Sequence, residues 1–183
     1  MEITIHQKKF SFGAKYDIYT DGQQTHTAAQ QVFKFFAEID LKDLEDQPRM
    51  KIKKRLSWFD LKYDLERRDN HLLEFRTRSY WKKHYECQVG ADFYDIYAHS
   101  GRKCSIFKNN VQVAWWKKEA VSYWDGDTYH ITGDKDMDTD LIISFCLLMD
   151  SAGSNERRGI VNIDFGIQLF QARKFDEAWQ PKW

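Results

Sequence analysis

Four aspartates alternate at Asp134, Asp136, Asp138 and Asp140, and carboxylate oxygens at close spacing are what hard divalent cations take as ligands. A helix–loop–helix calcium site needs Gly at its sixth position and a bidentate Glu at its twelfth. Counted from Asp134, those positions hold Thr139 and Phe145. The motif is absent, and Asp134, Asp136 and Asp138 remain only weak calcium candidates. The same residues have a structural use: Asp138 or Thr139 can N-cap a helix, and acidic charge complements the positive end of its dipole. No metal or other cofactor is expected.

Basic residues cluster at Lys51, Lys53, Lys54 and Arg55, at Lys82 and Lys83, and at Lys117 and Lys118, the last pair directly after Trp115 and Trp116. Tryptophan beside lysine suits a membrane interface or an anionic ligand. Lys53, Lys54, Lys117, Lys118 and Trp116 are therefore the anionic-ligand candidates. Strand geometry restrains the idea. Neighbouring residues face opposite ways, so one tryptophan packs inward and one lysine of each adjacent pair is simply solvated. Lysines on strands also discourage edge-to-edge aggregation.

His84 and Cys87 lie three apart, which in a strand puts them on opposite faces and prevents a shared metal without a bulge. No Cys-x-x-Cys, Gly-x-Ser-x-Gly elbow, phosphate-binding Gly-rich loop or His-Glu-x-x-His occurs, so zinc binding and nucleophilic catalysis have no sequence support. Asp125 and Asp127 flank Gly126 in a sequence that reads as a turn. The expectation is a non-enzymatic protein.

These side chains must be positioned by something, and the clearest element is residues 138–150, Asp-Thr-Asp-Leu-Ile-Ile-Ser-Phe-Cys-Leu-Leu-Met-Asp. Between the acidic ends only Ser144 is not apolar. A helix that is apolar all round must be buried all round. At about 20 Å it is too short to span a bilayer. Leu141, Ile142, Phe145, Leu148 and Met149 are expected core residues. The helix therefore needs a wrapping, and the remaining sequence supplies strands. Tyr16-Asp-Ile-Tyr-Thr-Asp-Gly22, Tyr63-Asp-Leu-Glu-Arg-Arg-Asp-Asn70, Tyr94-Asp-Ile-Tyr-Ala-His-Ser-Gly101 and, more weakly, Tyr129-His-Ile-Thr-Gly-Asp-Lys135 each alternate and then turn. Period two places Tyr and Ile or Leu on one face, and Asp, Asn, Ser or Gly tolerates the positive φ of a tight hairpin. Arg49–Lys53, Leu72–Arg78, Tyr85–Val89, Cys104–Lys108 and Val111–Lys118 read as further strands, with alternation continuing through Arg55–Phe59. Residues 25–41 stay open: Val32, Phe33, Phe35, Phe36 and Ile39 suit a helical stripe, whereas Thr25–Ala29 and Ala37–Leu41 suit strands.

The order of these signals, with Trp124-Asp-Gly-Asp-Thr-Tyr-His-Ile131 leading to an acidic turn and then the apolar helix ending at Asp150, resembles the LURP-one-related family of the tubby C-terminal-like superfamily, to which phospholipid scramblases are also related. The similarity runs from Phe10 to Ala152. The resemblance implies a mainly β fold, a closed antiparallel β-barrel of about twelve strands around a central hydrophobic α-helix, and it favours strands in 25–41. It implies binding rather than catalysis. Tubby domains take phosphoinositides, whereas many bacterial-type members have no assigned activity, and no headgroup residue can be carried over position by position. More than thirty residues follow Asp150, where the family's helix ends near the C-terminus. Residues 1–152 are expected to form the barrel, and 153–183 an extension packed on it, with a strand near 160–170 and a short helix near 172–179.

Composition agrees with one domain: 183 residues, 16% aromatic, 28 basic against 28 acidic residues and only 2 Pro. A neutral chain has no global field for nucleic acid, so no nucleic-acid partner is expected. Three unclustered cysteines suit a reducing compartment. No apolar leader or spanning segment is read, so the expected location is the cytoplasm, peripheral to a membrane if lipid is the ligand. The functional expectation is a binding or scaffold domain for an anionic lipid headgroup or a protein partner. The alternatives are a lipocalin-like small-ligand barrel, against which the apolar helix counts, and an oligomerising structural module.

Overall fold

The computed structural model describes the chain except residues 11–12, 34–35, 58–59, 80–82, 121–125, 157–171 and 183, with backbone alone at 32–33, 36, 120 and 153–156. Twelve antiparallel strands precede one helix: β1 (Glu2–Phe10), β2 (Gly13–Thr20), β3 (Gln23–Phe33), β4 (Phe36–Asp43), β5 (Pro48–Lys54), β6 (Lys62–Arg67), β7 (Leu72–Ser79), β8 (His84–Val89), β9 (Asp92–His99), β10 (Lys103–Lys108), β11 (Val111–Ala120), β12 (Asp127–Gly133) and α1 (Thr139–Glu156). Each strand pairs with its sequence neighbours, and β1 pairs with β12, so the sheet closes into a barrel. Closure removes the free edges that an open sheet would expose.

The recurring units point their Tyr–x–Ile/Leu pairs into the lumen, as the alternation predicts. Tyr16 and Ile18, Tyr63 and Leu65, Tyr94 and Ile96, and Tyr129 and Ile131 are none of them more than 4% exposed. The hairpin turns that follow use the left-handed backbone conformation that their residue types permit: Asp21 has φ 49° and Gly22 83°, and Asn70 has φ 61°. The described residues of 25–41 are strands, β3 paired with β4 from His26↔Asp43 to Phe33↔Phe36. Residues 55–57 lie outside any strand, so β5 ends at Lys54.

The lumen is filled by α1. Every residue from Leu141 to Ala152 is buried, including Leu141, Ile142, Phe145, Leu148 and Met149. Phe145 packs between the rings of Phe75 and Tyr94, both 5.8 Å away. Ser144 satisfies its hydroxyl within the helix by donating to the Asp140 carbonyl at 2.7 Å. The helix begins as expected, with Asp138 Oδ1 accepting from the Leu141 amide at 3.0 Å. It runs six residues past Asp150, because the Asp150 carboxylate is bonded inside the barrel and does not mark an exit to solvent.

The strand expected near 160–170 lies outside the described residues. The short helix near 172–179 does not form: residues 172–182 are bends, one turn and irregular chain. Arg173 and Phe175, two apart, both rest on the barrel wall. An extended segment directs residues i and i+2 to one side, whereas a helix would turn them apart. Pro181 also biases the residue before it away from helical geometry.

Candidate functional site

The up-and-down topology divides the barrel into two ends. At the entry end, where α1 begins, Asp140 pairs with Arg49 at 3.0 Å and with His26 at 3.0 Å. Burial pushes the Asp140 carboxyl up, but His26 and Arg49 outweigh it and hold it below the usual carboxylate value. Asp138, besides capping α1, pairs with Arg67 at 2.5 Å. An open cleft of about 450 Å³ lies here between Arg49, Arg67, Arg68, Asp69 and Asp140. The calcium candidates do not converge. Asp134 Oδ1 accepts from the Lys182 amide at 2.6 Å, Asp138 faces Arg67, and Asp136 is exposed. Among the described residues no group of three His, Cys, Asp or Glu side chains could hold a metal ion.

At the exit end, strands widely separated in sequence bring a buried polar cluster onto Asp150, whose side chain is 2% exposed. Oδ2 accepts from Gln7 Nε2 at 2.5 Å and from the Tyr16 hydroxyl at 2.9 Å. Oδ1 accepts from the Tyr129 hydroxyl and from Lys118 Nζ at 3.1 Å. Gln30 donates to Ser151 Oγ at 2.8 Å. A carboxylate this deep persists only when paired and hydrogen-bonded, and here both oxygens have two donors. Burial, and then the Asp150 charge, push both the Tyr16 and Tyr129 phenols well above their ordinary value, so they stay protonated donors. Lys118 also bonds Asp127 at 2.8 Å, and Lys9 reaches Asp127 at 3.0 Å. Burial alone would raise the Asp127 carboxyl, but Lys118 and Lys9 hold it below the usual value. Asp127 is thus an ionic hub rather than a turn residue. Gly126 before it has φ 81°, and a Cβ there would lie 2.0 Å from the Gln7 carbonyl oxygen, so β12 can approach β1 here only with glycine.

The sequence-derived anion candidates all lie toward the exit end but not in one pocket. Lys53 and Lys54 sit on β5 and Lys117 and Lys118 on β11, six strands apart in a ring of twelve. Lys53 pairs with Glu66 at 3.0 Å and Lys117 with Glu119 at 2.6 Å. Lys118 turns inward to Asp150. Trp116 is 3% exposed and points into the lumen, so the indole offered by the sequence pattern is not at the surface; its neighbour Trp115 faces outward. Lys54 lines a cleft of about 380 Å³ with Glu38, Lys53, Arg55, Leu56 and Asp64, and among the described residues it has no carboxylate partner. His84 and Cys87 lie on opposite faces: His84 bonds Asp95 at 2.6 Å, and Cys87 is buried.

The residues missed by sequence reasoning are Gln7, Tyr16, Asp127 and Asp150, and the signal for them was slight: an aspartate terminating an otherwise apolar stretch, and a tyrosine opening each strand unit. No α-helix among the described residues is long and apolar enough to cross a membrane. No curated protein and no solved structure matches the chain. A family model described as LURP-one-related matches residues 1–150, which are the twelve strands and the helix as far as Asp150, and the chain belongs to that family.

Proposed function

We propose that the protein is a non-enzymatic binding domain that docks end-on against an anionic lipid surface, using the exit end of the barrel. The observation that carries this reading is the pairing of exposed apolar side chains with unneutralised cations at that end. Phe10 is 56% and Leu56 75% exposed. Lys15 sits 5.7 Å over the Phe10 ring, and Lys54 precedes Leu56 along the chain. Neither lysine has a carboxylate partner among the described residues. Apolar tips beside lysines are what an interface between water and anionic headgroups accommodates.

The geometry favours a plane over a small ligand. Phe10 on β1 and Leu56 after β5 are four strands apart around the ring, an arrangement suited to meeting one surface. The entry end also exposes apolar side chains, Leu44, Leu72, Phe93 and Val111, but its turns carry Asp21, Glu45, Asp46, Asp69 and Asp136, which an anionic surface would repel. A lipocalin-like reading is disfavoured because α1 occupies the lumen, and the Asp150 cluster faces its own members rather than a cavity.

Co-sedimentation with neutral and anionic vesicles at low and physiological salt tests the proposal. Binding to anionic vesicles alone, weakening as salt rises, is the expected result. Equal recovery in the supernatant with both vesicle types would remove the lipid reading and leave a protein partner as the alternative.

A further inference from the structure

We infer that the outer wall of β9–β11 is a peptide-recognition site for extended segments that present a basic, an aromatic and an acidic side chain at alternate positions, and that the chain's own residues 173–177 are its resident occupant. This surface is the outer side of the barrel rather than its rim, and it does not depend on the lipid reading. The wall residues face away from the lumen, yet His99 is 2%, Ser105 1%, Phe107 6% and Gln112 8% exposed. Outward residues of a barrel are that deeply covered only when something lies on them.

Over Phe107 and His99 lies the segment 173–177, held side chain by side chain. The Arg173 guanidinium stacks 3.8 Å from the centre of the Phe107 ring, and its Nη1 donates to Asn110 at 2.9 Å. The Phe175 ring meets His99 and Trp115 edge-on at 5.2 and 5.4 Å. Lys103 Nζ lies 4.7 Å over the Phe175 ring and pairs with Glu177 at 3.4 Å. The wall therefore reads three alternating residues of an extended chain. No strand of the barrel pairs with residues 172–182, so the segment can leave without breaking a ladder.

The fit of the resident is incomplete. His99 Nε2 bonds Ser105 Oγ at 2.6 Å, but His99 Nδ1 is buried with no hydrogen-bond partner among the described residues, and so is Gln112 Nε2. Buried polar atoms left unpaired favour an occupant that can reach them. The resident also lies beyond the family's matched span of 1–150, whereas the wall lies within it. A tethered segment competes at high effective concentration, so it holds the site closed against weaker segments and yields to one that also satisfies His99 and Gln112.

A fluorescent peptide of residues 172–182, added to the full-length chain carrying Arg173→Ala and Phe175→Ala, tests this by anisotropy. Saturable binding at least ten-fold tighter than to the unaltered chain is expected, with loss of binding when the peptide's own phenylalanine is alanine or when the wall carries Lys103→Glu. Arg173→Ala alone, at a half-exposed side chain that the barrel does not need, gives the same comparison should the double variant not fold. A folded variant that binds the peptide no better than the unaltered chain does, or that binds the alanine peptide equally well, would overturn the inference.

Discussion

Asp150 shows how a single buried charge organises one end of the molecule. Its carboxylate holds Gln7, Tyr16, Lys118 and Tyr129, and so ties β1, β2, β11 and β12 to α1. Removing the carboxylate takes the acceptor from three buried donors, Gln7, Tyr16 and Tyr129, and leaves half-buried Lys118 with Asp127 alone. Asp150→Ala should therefore lower stability by about 3–5 kcal/mol, and Tyr129→Phe by about 1–2 kcal/mol, both read from urea midpoints. A second residue-scale prediction concerns His99. Burial, aided by nearby Lys103, pushes its pKa from 6.5 down to about 4. The unfolded chain takes up a proton below pH 6.5 that the folded chain refuses until about pH 4. Stability from this residue is thus complete above pH 6.5 and declines as pH falls toward 4. The depressed carboxylates Asp127 and Asp140 lose their contribution only lower, below their ordinary value of 3.8. Melting temperature should fall between pH 7 and 4.5 in the unaltered chain and stay nearly level in His99→Gln; parallel profiles would refute the assignment. The thiols give a third. Burial raises Cys87 to about 12 and pushes Cys104 and Cys146 well above their ordinary value, so none should react with a maleimide at pH 8 until the protein is unfolded. The Asp150 cluster was not legible in the sequence, because its members lie up to 143 positions apart and meet only when the barrel closes. Trp115 and Trp116 show the same limit. Alternation says that one faces in, but only the register with β10 and β12 says which.

At the scale of elements, α1 was the most legible part of the chain. An all-round apolar helix allows one kind of environment, and the lumen provides it. Leu147 is 1% exposed. Leu147→Ala should cost about 2–5 kcal/mol by cavity formation, and Leu147→Asp should abolish folding, because an unpaired charge in so buried a position is costly. A folded Leu147→Asp protein, judged by circular dichroism and a cooperative melt, would contradict the central-helix architecture. The Tyr–x–Ile/Leu units were equally legible, since period two followed by a positive-φ turn has few other realisations. β1 was harder to see. Ile3 and Ile5 alternate toward the lumen and are at most 1% exposed, but a short strand at a terminus gains meaning only from its partner, here β12. Residues 172–182 illustrate the opposite error: helix-compatible composition loses to side-chain anchoring at alternate positions.

The described residues form a closed barrel filled by its own helix, and its two ends differ in chemistry. Tight turns with Asp, Asn and Gly close the entry end beside exposed Leu44, Leu72, Phe93 and Val111, whereas the exit end sets Phe10 and Leu56 beside lysines without a carboxylate partner among the described residues. Most other cations at that end are already matched by neighbouring carboxylates, as in Lys8–Asp17, Lys53–Glu66 and Arg76–Glu86. Surface pairs of this kind contribute little stability; they also leave few cations free, so attachment should need the apolar tips as well as charge. The decisive measurement compares two charge insertions at opposite ends by co-sedimentation with anionic vesicles: Leu56→Glu at the exit end and Leu44→Glu, also exposed, at the entry end. End-on docking predicts that Leu56→Glu reduces the bound fraction at least several-fold while Leu44→Glu leaves it unchanged. Equal effects of the two substitutions, or a loss confined to Leu44→Glu, would contradict it.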